Sequence, residues 1–392
     1  HLHWRVTALS EKTRGTKRRV KPKEIYKEPR LRRALTEIDG IPPRLDSGVA
    51  KRLKEQMDLT VLIQTSPLPS HPSTALLDAL LTSFDRVGRL KECRIVILAD
   101  GCGTDGGGGG GRGDGDDGPR RAAGPANFKH GDAGSSPGVA DAYRLHLDEV
   151  QRKIDRRIGP YAPSGDGSVE LLRLTRRHGS ACAVAEAFRL GAVTTRYVVV
   201  GQHDNFFVRD VPYLEGLMGY MDRTEGEGWL QCVHFPSTAT IRYEEKTMRR
   251  YGIDLVPFGR EVRGPCGVRG RLVPLVFWYG RTSLARTRYY EEVILPRHEM
   301  RVGDHLEELW GTAQLGHLTG VRDEFAGDGG REGFEEAFRT AHAAYGNYVF
   351  FEEGGEDDEV LYHLSGRRAV AAPPGPDAGG EGEGEGTALE VL

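Results

Sequence analysis

Apolar residues first fall into register just after Asp58. Leu59, Val61, Leu62 and Ile63 form a run of strand length, as a strand buried on both faces requires. Further on, Leu76, Leu77, Leu80, Leu81 and Phe84 recur at helical spacing, with Ser73 placed to cap the helix they define. Arg94–Ala99 reads as a second buried strand and ends at Asp100 and Gly101. This strand–helix–strand rhythm predicts a mainly parallel, doubly wound sheet flanked by helices, an α/β fold. The pattern resumes with a helix near Ala140–Arg157, a strand at Val169–Leu174, a helix at Ser180–Leu190 and a strand at Tyr197–Val200. Further elements run to about Arg367, among them a strand at Tyr348–Phe351, and no internal repeat interrupts them.

Three stretches lack this periodicity. Residues 1–57 are basic, with Lys17, Arg18, Arg19 and Lys21 close together and more around Arg30–Arg33, and are expected to be a solvated arm or stem. Residues 103–138 contain the run Gly106–Gly111 and are expected to be a disordered insertion; the Arg112-Gly113-Asp114 tripeptide within it is a chance product of glycine-aspartate composition. The tail 369–392 ends in Gly-Glu repeats and is expected to be disordered as well. One domain, 58–368, remains.

Composition narrows the classes. A net charge of −3 gives no reason to expect nucleic acid as a partner. Cys93, Cys102, Cys182, Cys232 and Cys266 are scattered and form no CxxC pair, which argues against a zinc ribbon or a dense disulfide scaffold. No apolar run has the length of a membrane span. The first residue is His1 rather than Met, so membrane attachment is expected only through a missing N-terminus. The compartment is then the ER or Golgi lumen if such an anchor was lost, and the cytoplasm otherwise; the lack of an Asn-x-Ser/Thr sequon weighs mildly against the lumen.

Parallel sheets hold ligands at the carboxyl ends of their strands. Three such ends are polar here: Gln64-Thr65-Ser66-Pro67, Asp100-Gly101, and Gln202-His203-Asp204-Asn205 after Gly201. A lone aspartate after a strand is usually a loop cap; three polar strand ends on one sheet edge point to a ligand.

The segments Leu59–Ser83, Val96–Gly101, His178–Val208 and Leu275–Gly311 resemble glycosyltransferases of the GT-A (Rossmann-like) fold, near the family 2 type, over roughly two thirds of the chain. The resemblance implies transfer of a sugar from a nucleotide-sugar donor to a hydroxyl on a carbohydrate, protein or lipid. It implies that Thr65, Ser66 and Pro67 lie against the nucleotide, that Asp100 holds its uracil or ribose end, and that His178 and Gly179 open a helix beside the donor. Gln202-His203-Asp204 stands where the family has Asp-x-Asp. Only the second acid remains, so Asp204 is the expected ligand of a Mn²⁺ or Mg²⁺ ion that neutralises the diphosphate. Late in the family's chain a histidine also reaches the metal. His363 is the candidate, although a histidine between Tyr362 and Leu364 also suits a packed core.

The family's general base is an acid at the start of a helix under the acceptor. Glu307 matches best, then Glu308, then Asp304; Asp304 and Glu307 also read as a capping box, which needs no catalysis. Trp278 and Gly280, in the aromatic stretch Phe277–Ser283, are expected at the acceptor, Trp278 by stacking on a sugar or else as a core residue. No Walker loop, HExxH, GxSxG or dinucleotide fingerprint is present. Two other classes stay open. The missing acid at Gln202 suits an inactive GT-A-like binding or scaffold module. A nucleotidyltransferase would want a glycine-rich loop after the first strand, which Gln64–Pro69 lacks.

Overall fold

Leu59–Thr65 (β1) pairs in parallel with Arg94–Ala99 (β2) on one side and with Tyr197–Gln202 (β4) on the other. The three apolar runs legible in the sequence are thus neighbours in one sheet. In this computed structural model, residues 58–68, 70–102, 137–297, 300–325 and 330–364 are described. The basic arm, nearly all of the glycine-rich insertion and the Gly-Glu tail lie outside them. At the insertion's end the expectation fails: the helix Pro137–Asp155 (α2) includes its last two residues.

The remaining elements are Ala75–Ser83 (α1), Ser168–Arg173 (β3), Ser180–Arg189 (α3), Asn205–Phe207 (β5), Leu214–Arg223 (α4), Cys232–His234 (β6), Tyr243–Tyr251 (α5), Arg260–Arg263 (β7), Arg269–Pro274 (β8), Ser283–Arg286 (β9), Thr312–Phe325 (α6), Gly330–Ala343 (α7), Asn347–Glu352 (β10) and Leu361–His363 (β11). Two π-helical turns, Tyr290–Ile294 and Glu307–Gly311, stand between β9 and α6.

The main sheet runs β3-β2-β1-β4-β9-β6-β10-β8-β7, and β11 pairs with β5 in a small second sheet. Strands β3, β2, β1 and β4 are parallel, β9 is antiparallel to both its neighbours, and β8 is antiparallel to β10 and β7. The architecture is the expected α/β one, a sheet that is mixed as a whole, parallel through its β3-β2-β1-β4 part and flanked by helices. Alternation along each central strand sorts its side chains. Val61, Ile63, Ile95, Ile97 and Val199 meet Leu76, Leu77, Leu80 and Leu81 of α1 on one face. Leu62, Val96, Leu98, Val198 and Val200 meet Ala181, Val184 and Ala187 of α3 on the other.

The cap of α1 differs from expectation. Thr74, not Ser73, is its N-cap, and its hydroxyl donates to Asp78 at 2.9 Å. Ser73 Oγ accepts from the Ala75 amide at 3.2 Å instead.

Candidate active site

β1 and β4 end side by side, with Gln64 in register with Gln202. Ser180, the first residue of α3, donates its hydroxyl to Gln64 Oε1 at 2.7 Å. The loop between β8 and β9 brings Trp278, Gly280 and Arg281 over these groups, and the segment leading into the second π turn brings His305, Leu306 and Glu307; all line one cleft. Glycines allow this approach. Gly179 has φ +77°, and a Cβ there would stand 2.6 Å from Gly303 Cα. The Gly303 amide donates to His178 O at 2.8 Å and the Ala181 amide to Asp304 O at 3.0 Å, which joins the turn opening α3 to the acidic segment.

That segment separates its three acids. Glu307 lines the cleft, and its Oε2 accepts from the Gly280 amide at 3.0 Å. A Cβ on Gly280 would lie 2.8 Å from the same oxygen, so a larger residue would displace the carboxylate. Asp304 is buried, and its Oδ2 accepts from the Arg301 amide at 2.7 Å. The capping box expected between Asp304 and Glu307 does not form, because Asp304 folds back on its own loop while Glu307 reaches across to Gly280. Glu308 is half-buried and stands outside the cleft lining. π turns recur at functional sites, and here the one at Glu307–Gly311 sets Glu307 on the cleft wall.

His203 and Asp204 form the two-residue turn between β4 and β5. His203 turns away and places Nδ1 3.1 Å from Gln64 O. Asp204 faces β11, whose His363 is in register with Asn205. His363 Nε2 lies 3.2 Å from Asp204 Oδ2, and Asn205 Nδ2 donates to Asp204 Oδ1 at 2.9 Å. Burial opposes the charge on Asp204, but the hydrogen bond from His363 and the charges of His203, His363 and Arg281 outweigh it, so the carboxyl titrates below its ordinary range. An imidazole and a carboxylate are both groups that a divalent ion accepts as ligands, and here the two make a direct contact with each other. Among the described residues no set of three His, Cys, Asp or Glu side chains converges as a metal site. Diphosphate oxygens and water would therefore have to complete the shell, as Mg²⁺ and Mn²⁺ accept.

The residues expected at the donor are largely occupied. Asp100, at the end of β2, is buried, and accepts from the Gly101 and His178 amides through Oδ1 at 3.0 and 2.7 Å and from the Gly179 amide through Oδ2 at 2.9 Å. It holds the turn that opens α3. Thr65 is buried, with its carbonyl accepting from the Asp100 amide and the Tyr143 hydroxyl; Ser66 O lies 3.1 Å from His71 Nε2, and Pro67 is buried. Trp278 is 2% exposed and packs against His234, Tyr289 and Tyr290. Its ring is a core ring bordering the cleft, without the open face that stacking on a sugar needs. Sequence reasoning placed Ser180 with His178 and Gly179 in the turn beside the donor and Gln64 in a polar strand end, and assigned no individual role to Gln64, Arg281 or His305. The polar end of β1 was a signal for Gln64, and Arg281 stood inside the aromatic stretch already singled out.

No protein-family model and no curated protein matches the chain. Among solved structures it is similar to TarS of S. aureus at 11% identity and a TM-score of 0.31, over 67% of this chain and 34% of that one. It is similar to the mannosyltransferase PcManGT from Pyrobaculum calidifontis, in complex with GDP-Man and Mn²⁺, at 11% identity and a TM-score of 0.33, over 76% and 75% of the two chains. It is also similar to GalNAc-T7 with UDP, GalNAc and Mn²⁺, at 11% identity and a TM-score of 0.34, over 82% and 46%. The chain thus spans about a third of TarS and under half of GalNAc-T7. Activity has to be argued from the cleft.

Proposed function

We propose that this cleft transfers a sugar from a nucleotide-sugar donor to a hydroxyl acceptor, with Glu307 as general base. The observation that carries the reading is the meeting of Asp204 with His363, residues far apart in the chain, beside a cleft that exposes one carboxylate, Glu307. Asp204 and His363 would hold a divalent ion, which when bound neutralises charge on the diphosphate. Glu307 takes the proton of the acceptor hydroxyl. The hydroxyl oxygen bonds to the anomeric carbon as that carbon's bond to the diphosphate oxygen breaks, and the diphosphate leaves with the electron pair. The Gly280 amide fixes the carboxylate in place before the acceptor arrives. Asp100 acts on the donor indirectly, by holding the His178–Gly179 turn.

A melting-temperature screen of the whole chain with nucleoside diphosphates and nucleotide sugars, with and without Mn²⁺, tests the reading. At least one nucleoside diphosphate should raise the melting temperature, more so with Mn²⁺, and the matching nucleotide sugar should be slowly hydrolysed. No shift with any of them would sink it. Gln202, neutral where the family has an acid, favours a second reading as an inactive binding module. Stabilisation by a nucleoside diphosphate without hydrolysis or transfer of any matching sugar would select that reading.

A further inference from the structure

Arg281 lines the cleft, half-buried, and donates from Nη1 to Asn205 Oδ1 at 3.3 Å. Asn205 in turn donates to Asp204, which contacts His363. A guanidinium has five N–H donors, and the hydrogen bond shown for this one, among the described residues, ends on a neutral oxygen. No described carboxylate lies within ion-pair distance of it, although its charge acts on Asp204 through space and Glu307 lines the same cleft. Among the other lining residues Glu307 is the one carboxylate and His305 the one imidazole. A partly desolvated arginine left in this way is suited to an anion brought by the ligand, and its planar fork matches phosphate oxygens.

The other half of the argument is the acid that is missing. With Gln202 on β4, one carboxylate faces the expected metal position, and that carboxylate already has His363 against it. An ion held so lightly leaves much of a diphosphate's charge unmet. We infer that Arg281 is a diphosphate-binding residue of this cleft, a fixed cation that meets the leaving group and lets a nucleoside diphosphate bind even without a divalent ion. The inference rests on the proposed function and adds to it a division of the diphosphate's charge between Arg281 and the Asp204–His363 pair.

Calorimetric titration of the whole chain with UDP and GDP, and with uridine and guanosine, each in Mn²⁺ and in EDTA, tests it on the wild type, Arg281→Gln and Arg281→Met. The wild type should bind one of the diphosphates in EDTA, more weakly than in Mn²⁺. Both variants should lose about 10- to 100-fold of that EDTA affinity, lose less of it in Mn²⁺, and bind the nucleoside unchanged. Two variants of different polarity guard against one failing to fold, which their melting curves report. Diphosphate affinity equal to wild type in a folded variant overturns the inference and leaves the proposed function standing. Equal loss for nucleoside and diphosphate also overturns it, since that marks a structural residue. Wild-type protein that binds neither diphosphate in EDTA overturns the inference, and protein that binds no nucleoside diphosphate of any base in Mn²⁺ removes the proposed function as well.

Discussion

Glu307, Glu308 and Asp304 are the same kind of group within five residues, yet the fold uses them differently. Asp304 is tied to the Arg301 amide, Glu307 to the Gly280 amide on the cleft wall, and Glu308 stands off the cleft. Sequence could propose all three but not divide them. Their spacing suits a capping box as well as a catalytic pair, and the partner that decides between these, the Gly280 amide, comes from another loop. The division predicts different phenotypes. Glu307→Gln keeps an acceptor for the Gly280 amide but no base, so transfer should fall by about 10²–10⁴ with the melting temperature unchanged. Glu308→Gln should transfer near the wild-type rate. Asp304→Ala takes away the carboxylate that accepts from the Arg301 amide in a partly buried hydrogen bond, which costs about 1 kcal/mol, and should show as a lower melting temperature. Full transfer by Glu307→Gln would remove the base from this site.

The elements that were legible are the ones with a simple physical demand. β1, β2 and β4 lie in the parallel part of the sheet, covered on both faces, so they must be apolar throughout and stand out as runs. β6, β7, β8 and β9 are three to six residues long and carry His234, Arg263, Arg271 and Arg286. Arg286 is buried in mid-sheet and donates to the carbonyls of Leu230 and Met221, a setting a sequence pattern reads as surface. The π turns have no residue signature, so the geometry that aims Glu307 was not readable. Two glycines now make a paired test of how the loops are joined. Gly191 has φ +71° with open space around it, while Gly179 has φ +77° and the Gly303 backbone against it. Gly191→Ala should carry only the left-handed backbone cost of about 1–2 kcal/mol. Gly179→Ala should lose more stability in urea unfolding and also lose turnover, because it pushes the turn that opens α3 off the acidic segment. Equal losses in the two variants would show that the Gly179–Gly303 crossing does not hold the site together.

At the scale of the whole molecule, the core holds histidines whose burial opposes ionisation. Burial holds His146 and His234 down to about 3 and His342 to about 4. For His146 the charges of His71 and His203 add to the effect of burial. Above about pH 6.5 folded and unfolded chains both hold these rings neutral, and the rings add no pH dependence. Below it the unfolded chain takes up protons that the folded chain refuses, and stability falls by up to about 1.4 kcal/mol per pH unit for each ring. The loss continues until the folded values near 3 and 4 are reached, so the protein should be steady from pH 8 to 7 and unfold progressively on acidification below 6. His234 offers a clean test. It is 1% exposed, neither ring nitrogen has a hydrogen-bond partner among the described residues, and it packs edge-on to Trp278. Replacing an unpaired buried polar group with an apolar one of similar size is close to neutral or stabilising. His234→Leu should therefore melt at or above the wild-type temperature at pH 7. At pH 5 the leucine variant should gain a further ~2 kcal/mol relative to wild type, since one proton-accepting ring has gone from the unfolded chain. Melting curves of the two proteins that stay parallel from pH 7 to pH 5 would show that His234 takes up protons alike in the folded and unfolded chains, and would overturn this account of acid lability.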